Sequence, residues 1–134
     1  MKLADWRLLA GAACAQLAAR CAVGVMRLPR LRAQAALVRP VARLLLPGAD
    51  DRVIWAVEAT GRRMKGVSTC LVRALVLEAR FASRARCLSL EVGVRRGADG
   101  ALQSHAWLRD RERVLTGGPV DGDFVPMLSW ESAA

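Results

Sequence analysis

Apolar and polar positions in the first 45 residues follow a helical pattern. Residues 4–26 are rich in Ala and Leu and contain no Pro, which predicts one long helix. Pro29 interrupts the pattern. We expect a second helix over residues 30–38, which ends before Pro40 because a residue that precedes proline avoids helical geometry.

Two further helices are predicted downstream. One covers about residues 52–62, with Asp50 or Asp51 as its cap. The other covers about residues 69–80. Ser68 precedes it and can accept a hydrogen bond from a free backbone N–H of the first turn.

The second half of the chain changes to the period of β-strands. Residues 87–94 alternate between apolar and polar positions, which predicts a half-buried strand. Residues 101–108 and 113–116 read as two more strands after turn sequences, and residues 124–128 as a last short strand or a docked extended segment.

These elements predict an α+β fold, in which a helical N-terminal half packs on a small antiparallel sheet. The chain has 134 residues, about one ordinary domain, and 54% of them are apolar, which argues against disorder. We therefore expect a single domain over residues 1–134, with a helical region over 1–62 and the last helix and the sheet within 63–134.

The net charge of the chain bears on which classes of molecule it could bind. Lys and Arg number 21 and Asp and Glu 12, a net charge of +9 that favours acidic partners or reflects a biased composition. The basic residues are spread along the chain without an RNA-binding aromatic signature, so we do not expect nucleic acid as a partner. The apolar run from Leu8 to Ala19 is shorter than the roughly 20 residues of a membrane span. We expect a cytoplasmic protein and leave peripheral membrane contact open.

Four cysteines and one histidine define the candidate chemistry. No pair of cysteines has the C-x-x-C spacing, so we expect neither a metal site nor a cofactor. Cys14 and Cys21 lie among apolar residues and are predicted to be small core residues, and Cys87 to be buried in the sheet. Cys70 and His105 remain.

Cys70 is predicted in the first turn of a helix, whose partial positive charge stabilises a thiolate. His105 lies on a predicted strand, with Trp107 on the same face. A helix that carries Cys, followed by a strand that carries His, is typical of papain-like and transglutaminase-like sites. Taken alone, each residue is more often structural.

Four segments together resemble a known family. They are residues 68–75 (Ser-Thr-Cys-Leu-Val-Arg-Ala-Leu), 90–94 (Leu-Glu-Val-Gly-Val), 105–108 (His-Ala-Trp-Leu) and 114–118 (Val-Leu-Thr-Gly-Gly). The chain resembles the lasso-peptide B-type processing protein over about residues 8–128. More narrowly, it is similar to the peptidase part of that protein, which belongs to the transglutaminase-like superfamily.

The resemblance implies removal of the leader from a ribosomally made precursor peptide by a Cys-His-Asp triad. By this resemblance, Cys70 corresponds to the family's nucleophile and His105 to its general base. The resemblance also implies two partners, a separate leader-binding recognition protein and an ATP-dependent, asparagine-synthetase-like cyclase that closes the macrolactam ring. We expect a transglutaminase-like or papain-like core.

The acid of the triad is where the sequence departs from the family. If Asp110–Arg111 forms a two-residue turn, His105 faces Thr116, close to where the family places its acid, and no carboxylate stands there. We favour Asp121 as the third member, with Asp123 or Asp110 as alternatives. If none serves, a backbone carbonyl would orient the imidazole.

Three other functions remain open at this stage. A catalytically weak scaffold that binds precursor or cyclase fits the missing acid. A basic nucleic-acid-binding protein fits the charge. A transglutaminase or another acyltransferase would use the same thiol with a different acceptor.

Overall fold

A computed structural model describes residues 1–83, 85–117 and 124–131, which form five helices and a four-stranded antiparallel sheet. The helices are α1 (Leu3–Val25), α2 (Leu28–Ala33), α3 (Ala35–Leu45), α4 (Asp50–Arg63) and α5 (Cys70–Phe81). The strands are β1 (Leu88–Arg96), β2 (Leu102–Asp110), β3 (Arg113–Thr116) and β4 (Val125–Glu131), in the order β3-β2-β1-β4. The predicted α+β fold is confirmed.

Helix α1 is fixed to the domain along one side. Leu8 and Ala12 are buried there. Gln16 is fully buried, and its amide donates to the carbonyl of Val57 at 3.1 Å and to the hydroxyl of Thr60 at 2.7 Å. The buried amide is thereby paired by α4, as a polar group in a core must be.

The boundary predicted at Pro40 is wrong. Helix α2 ends at Ala33, the chain turns at Gln34, and α3 then runs through Pro40 to Leu45. A proline inside a helix removes one backbone hydrogen bond and costs about 3 kcal/mol. The packing of α3 against α5, with Ala42 buried, offsets that cost.

The caps of the next two helices also differ from expectation. Asp50 and Asp51 lie in the first turn of α4, where their charge meets the positive end of the helix, and they do not cap it. Thr69, one residue after the expected Ser68, caps α5, and its hydroxyl accepts the N–H of Val72 at 3.2 Å. The hydroxyl of Ser68 instead donates to the side-chain oxygen of Gln16 on α1.

The turn between β2 and β3 falls one residue later than predicted. Arg111 adopts a left-handed φ of +55°, and Asp110 pairs with Arg113. With a bulge after this turn, Thr116 pairs with Leu108. The prediction that His105 faces Thr116 is therefore wrong, because a shifted turn moves every pair in a hairpin.

The two faces of the sheet have different roles. Leu88, Leu90 and Leu108 point towards the helices and belong to the buried core. Strand alternation places Glu91, His105 and Trp107 on the opposite face.

The burial predicted for three cysteines is wrong. Cys14 and Cys21 are exposed because they lie on the side of α1 that faces away from the domain. Cys87 is exposed just before β1. These three thiols lie outside the core, and Cys70 is the partly buried one.

Candidate active site

Cys70 is the first residue of α5 and stands against the edge of β2. Its Sγ accepts a hydrogen bond from the backbone N–H of Ala106 at 3.4 Å. The pairing of β3 with β2 ends at Leu108 and Thr116, which leaves this edge of β2 open to the thiol. The sulfur therefore lies beside the residue that follows His105.

His105 is held by a backbone carbonyl. Its Nε2 lies 2.5 Å from the carbonyl oxygen of Gly117, which can only accept. A neutral imidazole in this position must carry its proton on Nε2, and Nδ1 is then free to act as a base.

The backbone of Gly117 can take this position only as glycine. Its φ is +87°, which a side chain disfavours. A Cβ there would lie 2.5 Å from the carbonyl oxygen of Ala106 and 2.8 Å from the Cβ of Trp107. The absence of a side chain lets the end of β3 close onto β2 and reach His105.

Two aromatic rings border the imidazole on the outer face of the sheet. The centroid of Phe124 lies 5.4 Å and that of Trp107 6.1 Å from the centroid of the His105 ring. Trp107 is only 1% exposed, and its Nε1 donates to Glu91 on β1. These contacts limit rotation of the imidazole and cover its side that faces away from the helices.

A cleft of about 410 Å³ opens beside His105 and is also lined by Glu58, Arg73 and Thr116. The hydroxyl of Thr116 donates to Glu58, and Nε of Arg73 lies 3.6 Å from the same carboxylate. Sequence reasoning missed Glu58 as a site residue. No motif marks it, and only the packing of α4 beside β3 and α5 brings it to the cleft.

Three aspartates were predicted as candidates for the third member of the catalytic triad. Asp110 lies at the far end of β2 and pairs with Arg86 at 3.3 Å, away from the imidazole. Asp121 and Asp123 lie outside the described residues. Within the described part of the chain, no hydrogen bond joins His105 to a carboxylate or to Cys70.

The described residues also bear on whether a cluster of side chains could bind a metal ion. Among residues 1–83, 85–117 and 124–131, no group of three His, Cys, Asp or Glu side chains is placed to hold a metal ion. The chemistry that the described side chains offer is that of a thiol, an imidazole and the backbone donors around them.

Comparison with known proteins assigns the family. No curated protein and no solved structure matches the chain at a significant level. The family model of the transglutaminase-like superfamily matches residues 10–129, which include Cys70 and His105. This superfamily is generally built on the fold of cysteine proteases and acyltransferases. With the matched model covering most of its length, the chain belongs to the transglutaminase-like superfamily.

Proposed function

We propose that the protein is a cysteine peptidase with Cys70 as the nucleophile and His105 as the general base. One observation carries the proposal: Sγ of Cys70, at the start of α5, receives the N–H of Ala106, next to His105. A helix N-terminus and a backbone donor both stabilise a thiolate, the form of cysteine that attacks carbonyl carbon.

The proposed reaction has two steps. His105 takes the thiol proton of Cys70 on Nδ1, and the thiolate attacks the scissile carbonyl. The C–N bond then breaks as the imidazolium returns that proton to the leaving amine. Water, deprotonated by His105, then attacks the thioester and releases the acid and the thiol. The negatively charged oxygen of the tetrahedral intermediate needs a free N–H donor at the start of α5. The N–H of Val72 already donates to the hydroxyl of Thr69, so we assign this role to the backbone N–H of Cys70.

We propose the leader of a lasso-peptide precursor as the substrate. The support is the sequence resemblance, in which Cys-Leu-x-Arg-Ala-Leu at 70–75 and His-Ala-Trp at 105–107 occur together. A separate leader-binding recognition protein would deliver the precursor, and an asparagine-synthetase-like cyclase would act on the product. The proposed location is the cytoplasm.

Two groups are candidates for orienting His105. The carbonyl of Gly117 is in hydrogen-bonding contact with Nε2 in the described structure. Asp121 is the carboxylate that the sequence favours. If the carbonyl suffices, Asp121→Asn leaves the rate of cleavage close to that of the wild type. If Asp121 is instead the acid of a triad, the same substitution lowers the rate by orders of magnitude.

The test is mass spectrometry of a cognate precursor incubated with the protein and its recognition partner. We expect the wild type and Cys87→Ala, which removes an exposed thiol outside the site, to release the leader. Cys70→Ala and His105→Ala should not. Cleavage that persists without Cys70 would refute the proposal.

Two additions to this experiment separate the other candidate functions. In water labelled with ¹⁸O, hydrolysis places the label in the new carboxylate of the leader. An acyltransferase would instead join the acyl group to an amine acceptor. A scaffold would bind the precursor and release nothing.

A further inference from the structure

Helix α1 is apolar around most of its circumference, with Arg7 and Arg20 as exposed charges, yet only one side of it is buried. Such helices are normally enclosed by their protein or by a membrane. The side turned away from the domain presents Leu3, Trp6, Leu17 and Val25, all exposed. A helical repeat of 3.6 residues places them on one stripe, and the 23 residues extend it over about 34 Å.

Helix α3 carries a second exposed apolar stripe. Leu37 is 78% exposed and Leu44 is 81% exposed, and Val41 lies between them one turn from each. On the same helix, Arg43 is exposed on another side, where Arg39 is half-buried. This arrangement of apolar and cationic sides is typical of helices that lie in a membrane interface.

A shallow apolar groove joins the two stripes. Its floor on the α1 side consists of Ala15, Ala18, Ala19 and Ala22, and α3 contributes Val38 and Val41. Ala15 and Ala19 also pack against the core, whereas helical spacing places Ala18 and Ala22 between the buried side of α1 and its exposed stripe. The α1 stripe, the groove and the α3 stripe therefore form one continuous apolar surface, which we call the α1–α3 surface.

The charge of this half of the chain indicates what covers the α1–α3 surface. Residues 1–48 contain eight Lys or Arg and one acidic residue, Asp5, a net charge of +7 out of the +9 of the whole chain. Asp5 is itself paired with Arg52. An apolar surface within a strongly cationic region fits an anionic partner.

We propose that the α1–α3 surface rests on a membrane that contains anionic lipids. A second copy of the chain fits poorly, because two halves of charge +7 would face each other. A bilayer supplies apolar chains for the two stripes and the groove, and anionic headgroups for the surrounding arginines.

The protein lies on the membrane and does not cross it. By length and composition alone, α1 is long and apolar enough to span a bilayer. However, Gln16 is fully buried and hydrogen-bonded to α4, and Asp5 is bound to Arg52 of the same helix. Insertion of α1 would break both attachments and place an unpaired amide in hydrocarbon, which is strongly unfavourable.

The first test is vesicle binding by the full chain. Vesicles of phosphatidylcholine with phosphatidylglycerol are compared with vesicles of phosphatidylcholine alone, at low and high salt. The variant is Leu37→Glu/Leu44→Glu, and the matched control is Leu102→Glu, which alters an equally open leucine (70% exposed) on β2. All three side chains are exposed, so the variants should fold.

We expect the wild type and Leu102→Glu to bind the anionic vesicles, and salt to weaken the binding. The double variant should bind at least roughly tenfold more weakly than the wild type, because each new charge would have to enter the apolar part of the interface. Equal binding to neutral vesicles, or equal binding by the double variant, would overturn the proposal. So would salt-independent binding.

Thiol alkylation gives an independent readout. Cys14 and Cys21 are exposed on α1, and Cys87 is exposed near the sheet. Anionic vesicles should slow alkylation at Cys14 and Cys21, measured peptide by peptide, and leave Cys87 unchanged. If these thiols are instead protected without vesicles as protein concentration rises, the surface is an interface between copies and the membrane proposal is wrong.

Discussion

Replacing Gly117 by alanine tests whether a backbone carbonyl holds the catalytic imidazole. The change adds one methyl group in the position that lies 2.5 Å from the carbonyl oxygen of Ala106. Because that neighbour is backbone, the end of β3 must move to relieve the contact. The carbonyl of Gly117 would then move away from Nε2 of His105.

The matched control is Gly100→Ala. Gly100 has a φ of +82°, close to the +87° of Gly117, but a Cβ there meets no atom within 4 Å. Both substitutions carry the left-handed penalty of about 1 kcal/mol. Gly117→Ala adds a steric cost of about 1–3 kcal/mol. We expect free energies of unfolding in urea to fall by roughly 1 kcal/mol for the control and 2–4 kcal/mol for the test variant.

The assay for the imidazole itself is nitrogen NMR. His105 is the chain's one histidine, so a ¹⁵N-histidine-labelled sample contains a single imidazole. In the wild type and in Gly100→Ala, we expect the proton on Nε2. In Gly117→Ala, the loss of the acceptor should give a mixture of tautomers and slower alkylation of Cys70.

The reasoning would be refuted if Gly117→Ala lost more stability than Gly100→Ala but kept the same tautomer of His105 and the same reactivity of Cys70. The end of β3 would then have moved without consequence for His105. Another group would hold the imidazole, and Asp121→Asn would be the next variant to label.

Three further predictions concern stability. Gln16→Leu should lower the free energy of unfolding by about 1–3 kcal/mol in urea titrations, because it leaves buried partners unpaired. Glu78→Gln should cost about 3–5 kcal/mol by the same measurement, because the largely buried guanidinium of Arg32 loses its carboxylate partner at 2.8 Å. The backbone N–H of Lys2 lowers the pKa of Asp5 below its usual 3.8, so the stabilisation by this carboxylate is present above that pH and is lost as pH falls through the lower value. Asp5→Asn should therefore differ from the wild type in thermal unfolding at neutral pH and approach it under strongly acidic conditions.

The sequence was most informative where one local pattern dominates. The alternation of residues 87–94 predicts β1, and the Ala-rich, proline-free run predicts α1 to within one residue at each end. Periodicity also indicates the α+β class. In these segments, local spacing and tertiary burial favour the same structure.

Sequence reasoning failed where tertiary contacts decide the outcome. Pro40 is a helix breaker by local rules, yet packing against α5 carries the helix through it. Cys14 and Cys21 look like core residues because α1 is apolar around most of its circumference, so periodicity could not tell which side is buried. The position of Glu58 in the cleft depends on how separate elements pack, which no spacing along the chain records.

The hydrogen bond from Ser68 to Gln16 makes the first helix a structural part of the active site. Ser68 stands two residues before Cys70, so the segment that presents the nucleophile is anchored by a side chain more than fifty positions earlier in the chain. A fragment that starts after α3 would retain Cys70, His105 and Gly117 but lose that anchor. Protein engineers who shorten this chain from its beginning should therefore expect to disturb the placement of the thiol together with the core, to which α1 contributes Leu8 and Ala12.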